Sequence, residues 1–179
     1  MLVRATVSNA ACCLFLAFGA LAQPERSTAQ APAVPVHKLK PDVSFLGMRF
    51  EASGGNAVGA IPFDRPYEAL SPAQQARVKA AYGSMGEGDE PPFPIGGLAA
   101  IYDPITEGQQ RVLLEGRFVA EVQVNAQDEA TSIAVLKTPG PRFTKFVAEV
   151  ALLTNYKPAR CNGVPCAMAF PIQLTLKVE

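Results

Sequence analysis

Tryptophan is absent from this 179-residue chain, and histidine occurs once, at His37. A Ser-His-Asp arrangement could therefore draw only on His37. The motifs GxSxG and HExxH are missing, and so is a phosphate-cradling glycine loop. A carboxylate-only mechanism is recognised by geometry and stays open. Otherwise the sequence points away from an enzyme and asks for no cofactor. An excess of either charge is lacking too: 16 basic and 16 acidic residues cancel to +0. Nucleic acid as a partner demands a basic surplus, so it is excluded on that ground. Long apolar runs are also missing. The run from Ala10 to Gly19 is well short of the ~20 residues that a spanning helix needs.

That run nevertheless has a pattern. Arg4 supplies a positive start, the apolar stretch follows, and Ala20-Leu21-Ala22 gives a small-x-small cleavage site before Gln23. Residues 1–22 read as a secretion signal, with an uncleaved signal anchor as the alternative. A lipoprotein centred on Cys12 fits less well, because most of the apolar run follows that cysteine.

Export makes the remaining cysteines interpretable. Cys161 and Cys166 survive cleavage, and an oxidising compartment favours joining them. Four residues separate them, which suits neither a CxxC redox site nor a zinc knuckle. Asn162-Gly163 signals a tight turn and Pro165 stiffens it. The expectation is a disulfide clamping a turn, against the alternative of two free, buried thiols.

Residues 23–42 are rich in Pro, Ala and polar residues and read as an extended linker. His37 sits near its end, where a lone histidine is expected to be solvated. Residues 43–115 are less regular. Val43 to Phe50 could be a strand. Ser71-Pro72-Ala73-Gln74 is a capping box with proline at the first helical position, opening a helix over about 72–82. Gly86 to Pro92 reads as a solvated loop whose acids do not follow the series of a calcium loop. The stretch from Pro92 to Pro104 is expected to be irregular or briefly extended. Gln109 to Leu114 reads as a short strand or helical turn.

Residues 116–179 carry the clearest periodicity. From Arg117 to Asn125, Phe118, Ala120, Val122 and Val124 fall on one face of a half-buried strand. Asn125 to Glu129 is a turn. Ala130 to Thr138 is a second strand, expected to be covered partly on both sides. After Pro139-Gly140-Pro141 a helix runs from about Arg142 to Asn155. Phe143, Phe146, Val147, Val150, Ala151 and Leu153 form its apolar stripe, with Lys145 and Glu149 one turn apart on the outside. The last strand, Ala167 to Val178, has apolar residues at every even position and polar Gln173, Thr175 and Lys177 at odd ones. Pro171 inside it cannot donate to a ladder, so this strand is expected at an edge or bulged. The fold class is α+β: a small antiparallel sheet in the order strand–strand–helix–strand with one packed helix, preceded by the less regular region.

This order, together with Tyr156-Lys157-Pro158-Ala159, Asn162-Gly163-Val164-Pro165 and Phe170-Pro171-Ile172, resembles the C-terminal domain of the TonB family. The resemblance covers about the last 65 residues and extends to the Pro92-Phe93-Pro94 segment. It implies a periplasmic domain that binds an extended segment of a TonB-dependent outer-membrane receptor by adding a strand to a sheet edge. An anchored form would also meet inner-membrane motor subunits. The chain departs from the family in its short N-terminal run, its brief linker, and Asp128-Glu129 where a glycine is usual. A soluble periplasmic adaptor or structural protein with the same fold is the alternative. Contacts with a partner are expected from Gln173, Thr175 and Lys177 on the polar face of the last strand. Tyr156 and Arg160 near the loop are expected to join them.

Overall fold

The computed structural model describes residues 37–40, 61–83, 85–112 and 114–177. All of them belong to one unit, Val34–Glu179. The N-terminal 22 residues, the expected strand from Val43 to Phe50 and most of the linker lie outside the described residues. The fold is α+β, with three α-helices and small antiparallel sheets among the described residues.

Helix α1, Pro72–Ala80, opens as its sequence requires. The Ser71 amide donates to Gln74 Oε1 at 2.9 Å, and the Gln74 amide returns the bond to Ser71 Oγ at 3.4 Å. Two orphan donors of the first turn are thereby satisfied. Strand β1 is the dipeptide Phe93–Pro94. Helix α2, Ala99–Val112, begins in the stretch expected to be irregular, keeps Pro104 inside, and continues past Gln109, where the helical turn rather than the short strand is what forms. Proline removes one intrahelical bond. Ile101, Tyr102 and Ile105 are fully buried on this helix, so packing outweighs local propensity. The Tyr102 carbonyl gains a second acceptor role from Thr106 Oγ1 at 2.8 Å. The carbonyl that loses its proline partner belongs to exposed Ala100, where water can serve it.

Strands β2 (Gly116–Val124) and β3 (Ala130–Lys137) form a hairpin, and β7 (Met168–Leu176) returns along β2. The order is β3-β2-β7, all antiparallel. The period-2 reading holds in β2, where Phe118, Ala120, Val122 and Val124 are all buried. In β7 each even residue from Met168 to Leu176 is buried as well. β3 differs from expectation. Ile133 and Val135 pack on the core, while Ala134 and Leu136 stand exposed, so only one face is covered. The turn between β2 and β3 needs no glycine. Asn125 Oδ1 accepts the amides of Gln127 and Glu129, both at 2.9 Å, and Asp128 takes the left-handed position at φ 65°. Aspartate tolerates that region better than most side chains.

Helix α3, Pro141–Leu153, lies on the sheet through Phe143, Val147 and Ala151. Phe143 meets Phe118 edge to face at 5.6 Å. Phe146 and Val150 pack at the margin of the core. Leu153 leaves the expected stripe and is 83 % exposed at the helix end. Lys145 and Glu149 pair at 3.9 Å on the solvent side. Between α3 and β7 run three short strands: β4 (Tyr156–Lys157), β5 (Ala159–Cys161) and β6 (Val164–Cys166). β5 and β6 form a hairpin around Asn162-Gly163, whose φ values of 50° and 79° are those of a tight turn with both central residues left-handed. One continuous core contains residues from Ile61 to Leu176, so the region before Gly116 and the strands after it share their interior.

Candidate binding surface

The three-stranded sheet has two outer edges, β3 and β7. β7 is an edge strand, as Pro171 requires. Proline gives no amide to a ladder, and residues two apart along a strand direct their backbone groups the same way. Ala169, Pro171 and Gln173 thus belong to the set facing away from β2. The chain itself occupies this edge. Tyr82, fully buried, donates its hydroxyl to the Ala169 carbonyl at 3.0 Å. Gln109 Nε2 donates to the carbonyl of Lys177 at 2.9 Å. Burial pushes the Tyr82 phenol well above its ordinary range, so it stays a neutral donor.

β3 is the contrasting edge. No bond from its outer backbone groups to another element is present among the described residues. Its pairing with β2 skips Thr131 and Leu136, which puts a bulge at each end and leaves Ser132–Val135 regular. Leu136 is 64 % exposed beside that stretch.

The five residues expected to contact a partner divide into two groups. Gln173 and Thr175 lie on β7 and Lys177 directly follows it; Thr175 and Lys177 are exposed and Gln173 is half-buried. Tyr156 lies in β4, just after α3, and Arg160 lies in β5, within the disulfide hairpin. The expectation for Tyr156 is corrected. It is fully buried, its hydroxyl donates to the Ala151 carbonyl at 3.0 Å, and its ring packs 5.6 Å from that of Phe170. A side chain with no exposed surface cannot touch a partner, and Tyr156 is a core residue. Arg160 is exposed but folds back, with Nη2 2.9 Å and Nε 3.2 Å from the Gly163 carbonyl. Cys161 and Cys166 are joined as a disulfide, with Cα atoms 5.9 Å apart.

The Tyr156–Gly163 segment has a companion that the sequence did not disclose. Phe93 and Pro94 pair with Lys157 and Tyr156. Glu90 and Arg160 exchange both backbone bonds, at 2.8 and 2.9 Å. The Gly163 amide reaches the Gly88 carbonyl at 3.0 Å. Lys157 Nζ meets Glu90 Oε2 at 2.9 Å and lies 4.8 Å above the Tyr67 ring. At the centre is Asp89, 4 % exposed. Its carboxylate accepts the amides of Asn162 and Gly86, each at 2.7 Å. These two bonds hold its carboxyl below the ordinary range; His37 adds to the effect and burial opposes it. The loop is thus solvated only over residues 86–88, as expected, while Asp89, Pro91 and Pro92 are buried and brace the hairpin. His37 is corrected in the same way. Its side chain is 9 % exposed, and Nε2 stands 3.0 Å from Asp89 Oδ2, off the line of a good hydrogen bond. That contact is electrostatic whenever the imidazole carries a proton. Leu39 then bridges to Tyr82, tying this strap to the edge-capping residue.

Sequence reasoning missed Asp89, His37, Tyr82 and Gln109. Each meets a partner more than 50 residues away, which no local pattern names. The loop glycines flanking Asp89 were the one available signal. No group of three or more metal-binding side chains is found among the described residues. No family description, curated protein or solved structure matches this chain.

Proposed function

We propose that the chain is a TonB-like binding domain of the bacterial periplasm. Its partner is an extended segment of a TonB-dependent outer-membrane receptor, taken as an added strand in support of energised transport. The supporting observation is the outer edge of β3, which has no backbone partner among the described residues, with Ser132–Val135 regular and Leu136 exposed beside it. Four residues on an edge offer up to about four outward backbone bonds, each worth about 1 kcal/mol net. That alone gives an affinity in the millimolar range, so a side-chain anchor such as Leu136 is needed for tighter capture. A weak, sequence-tolerant grip suits a partner that must be released.

The second reading, a soluble periplasmic adaptor without energy transduction, is favoured by the capped edge of β7. A partner strand there would first have to displace Tyr82 and Gln109. No helix among the described residues is long and apolar enough to cross a membrane. In an anchored form, inner-membrane motor subunits would be additional partners.

The test is a nuclear magnetic resonance titration of the chain with a synthetic peptide from a receptor's N-terminal segment. The expected result is a saturable shift of the Ser132–Val135 amides, lost when proline replaces a ladder-donating residue of the peptide. An unperturbed spectrum at millimolar peptide would remove the receptor reading. Shifts centred on residues 169–177 would move the docking edge to β7.

A further inference from the structure

Helices α2 and α3 touch where Gly108 faces Phe146, and a methyl group at position 108 would collide with the phenyl ring. A groove of about 780 Å³ starts at this contact. Phe143, Phe146 and Leu114 give it an apolar lining, and Arg111 and Arg142 are the charged residues beside them. No acidic side chain among the described residues lines it. Both arginines are exposed, and neither has an ion-pair or hydrogen-bond partner among the described residues. Arg160, by contrast, is folded onto a backbone carbonyl of its own hairpin. Two uncommitted guanidiniums beside an aromatic surface, with no balancing carboxylate, form a positive rim over an apolar floor in a chain of zero net charge.

Charge complementarity therefore selects an anion, and the lining selects an apolar body. The volume lies within the range of sites that hold one small molecule. A guanidinium presents its donors as a planar fork that matches a carboxylate. We propose that this groove binds one molecule of a free long-chain alkyl carboxylate, its head at Arg111 and Arg142 and its chain along Phe143, Phe146 and Leu114. No residue of β3 or β7 lines the site, and the proposal does not depend on the receptor reading.

The experiment is calorimetric titration of the intact chain with sodium dodecanoate below its micelle-forming concentration. Dodecanol and dodecyltrimethylammonium of the same chain length are run beside it. Dodecanoate is expected to bind one per chain, and the two other head groups at least about tenfold more weakly, as loss of charged hydrogen bonds implies. R111Q/R142Q is expected to lose at least about tenfold in dodecanoate affinity, and R111K/R142K to recover part of it. Both side chains are exposed, so circular dichroism should report an unchanged fold. Equal affinity for all three head groups would overturn the proposal. So would unchanged affinity in R111Q/R142Q, or uptake of dodecanoate without saturation. The wild-type chain supplies an independent readout, because dodecanoate should shift the ring resonances of Phe143 and Phe146; an absence of shift there overturns the site as well.

Discussion

The hydroxyl of Tyr82 and the carbonyl of Ala169 meet at 3.0 Å across 87 residues of sequence. This bond closes the one strand edge whose proline already marked it as unpaired. An open edge invites association with other chains, and natural proteins cover or interrupt such edges. Here one edge is covered by side chains and the other is interrupted by bulges at Thr131 and Leu136. The capping bond leads to the first prediction. Tyr82→Phe keeps the buried ring and leaves the Ala169 carbonyl without its donor. Urea unfolding should show a loss of about 1 kcal/mol with an unchanged slope. Amide exchange along residues 169–177 should accelerate. Unaltered exchange would mean that Tyr82 does not guard the edge.

Asp89 is expected to contribute to the acid dependence of stability. Its folded-state carboxyl lies below the ordinary value of 3.8, held there by the Asn162 and Gly86 amides. A depressed carboxyl stabilises the fold fully above the ordinary carboxylate range, and that contribution disappears as pH falls through the lower folded value. Asp89→Asn puts a carboxamide NH2, a donor, where the second backbone amide needs an acceptor. It should cost about 1–3 kcal/mol at neutral pH. The variant's stability should also vary less between pH 5 and pH 2 than that of the parent. Parallel pH curves would refute the role given to Asp89.

Removing the disulfide with Cys161→Ser and Cys166→Ser should destabilise the chain by about 2 kcal/mol, since the ring is small. The hairpin should nonetheless keep its place, because Asn162 and Gly163 remain bonded to Asp89 and Gly88. The check is thermal unfolding with and without reductant, together with exchange at Gly163. Loss of folding in the double variant would show that the brace depends on the bond.

Phe170 joins the two halves of the core, with the rings of Phe93 at 6.2 Å and Tyr156 at 5.6 Å. Phe170→Ala should cost about 3–5 kcal/mol. Residues before and after Gly116 share one interior, so unfolding should remain a single transition by near-ultraviolet and far-ultraviolet dichroism. Two separated transitions would mean that the halves are independent.

The capping box at Ser71, the α3 stripe, the period-2 faces of β2 and β7 and the turn at Asn162-Gly163 were all legible in the sequence. Each is settled by residues within a few positions of one another. α2 was not legible, because Pro104 and Gly108 argue locally against a helix while its support comes from burial of Ile101, Tyr102 and Ile105. Tyr156 was misjudged for a related reason. An aromatic beside a lysine and a proline gives no sign of its depth, and only the packing of Phe170 and the Ala151 carbonyl around it does.

By itself the sequence determined that this chain forms an α+β fold with an edge strand through Pro171, because periodicity and proline chemistry act within one segment. The tertiary structure alone decided that this edge is closed and that β3 has no partner on its outer side among the described residues. It also decided that His37 and Asp89 lie buried together. Those outcomes depend on contacts such as Tyr82 with Ala169 and Asp89 with Asn162, whose geometry exists only once distant segments have packed.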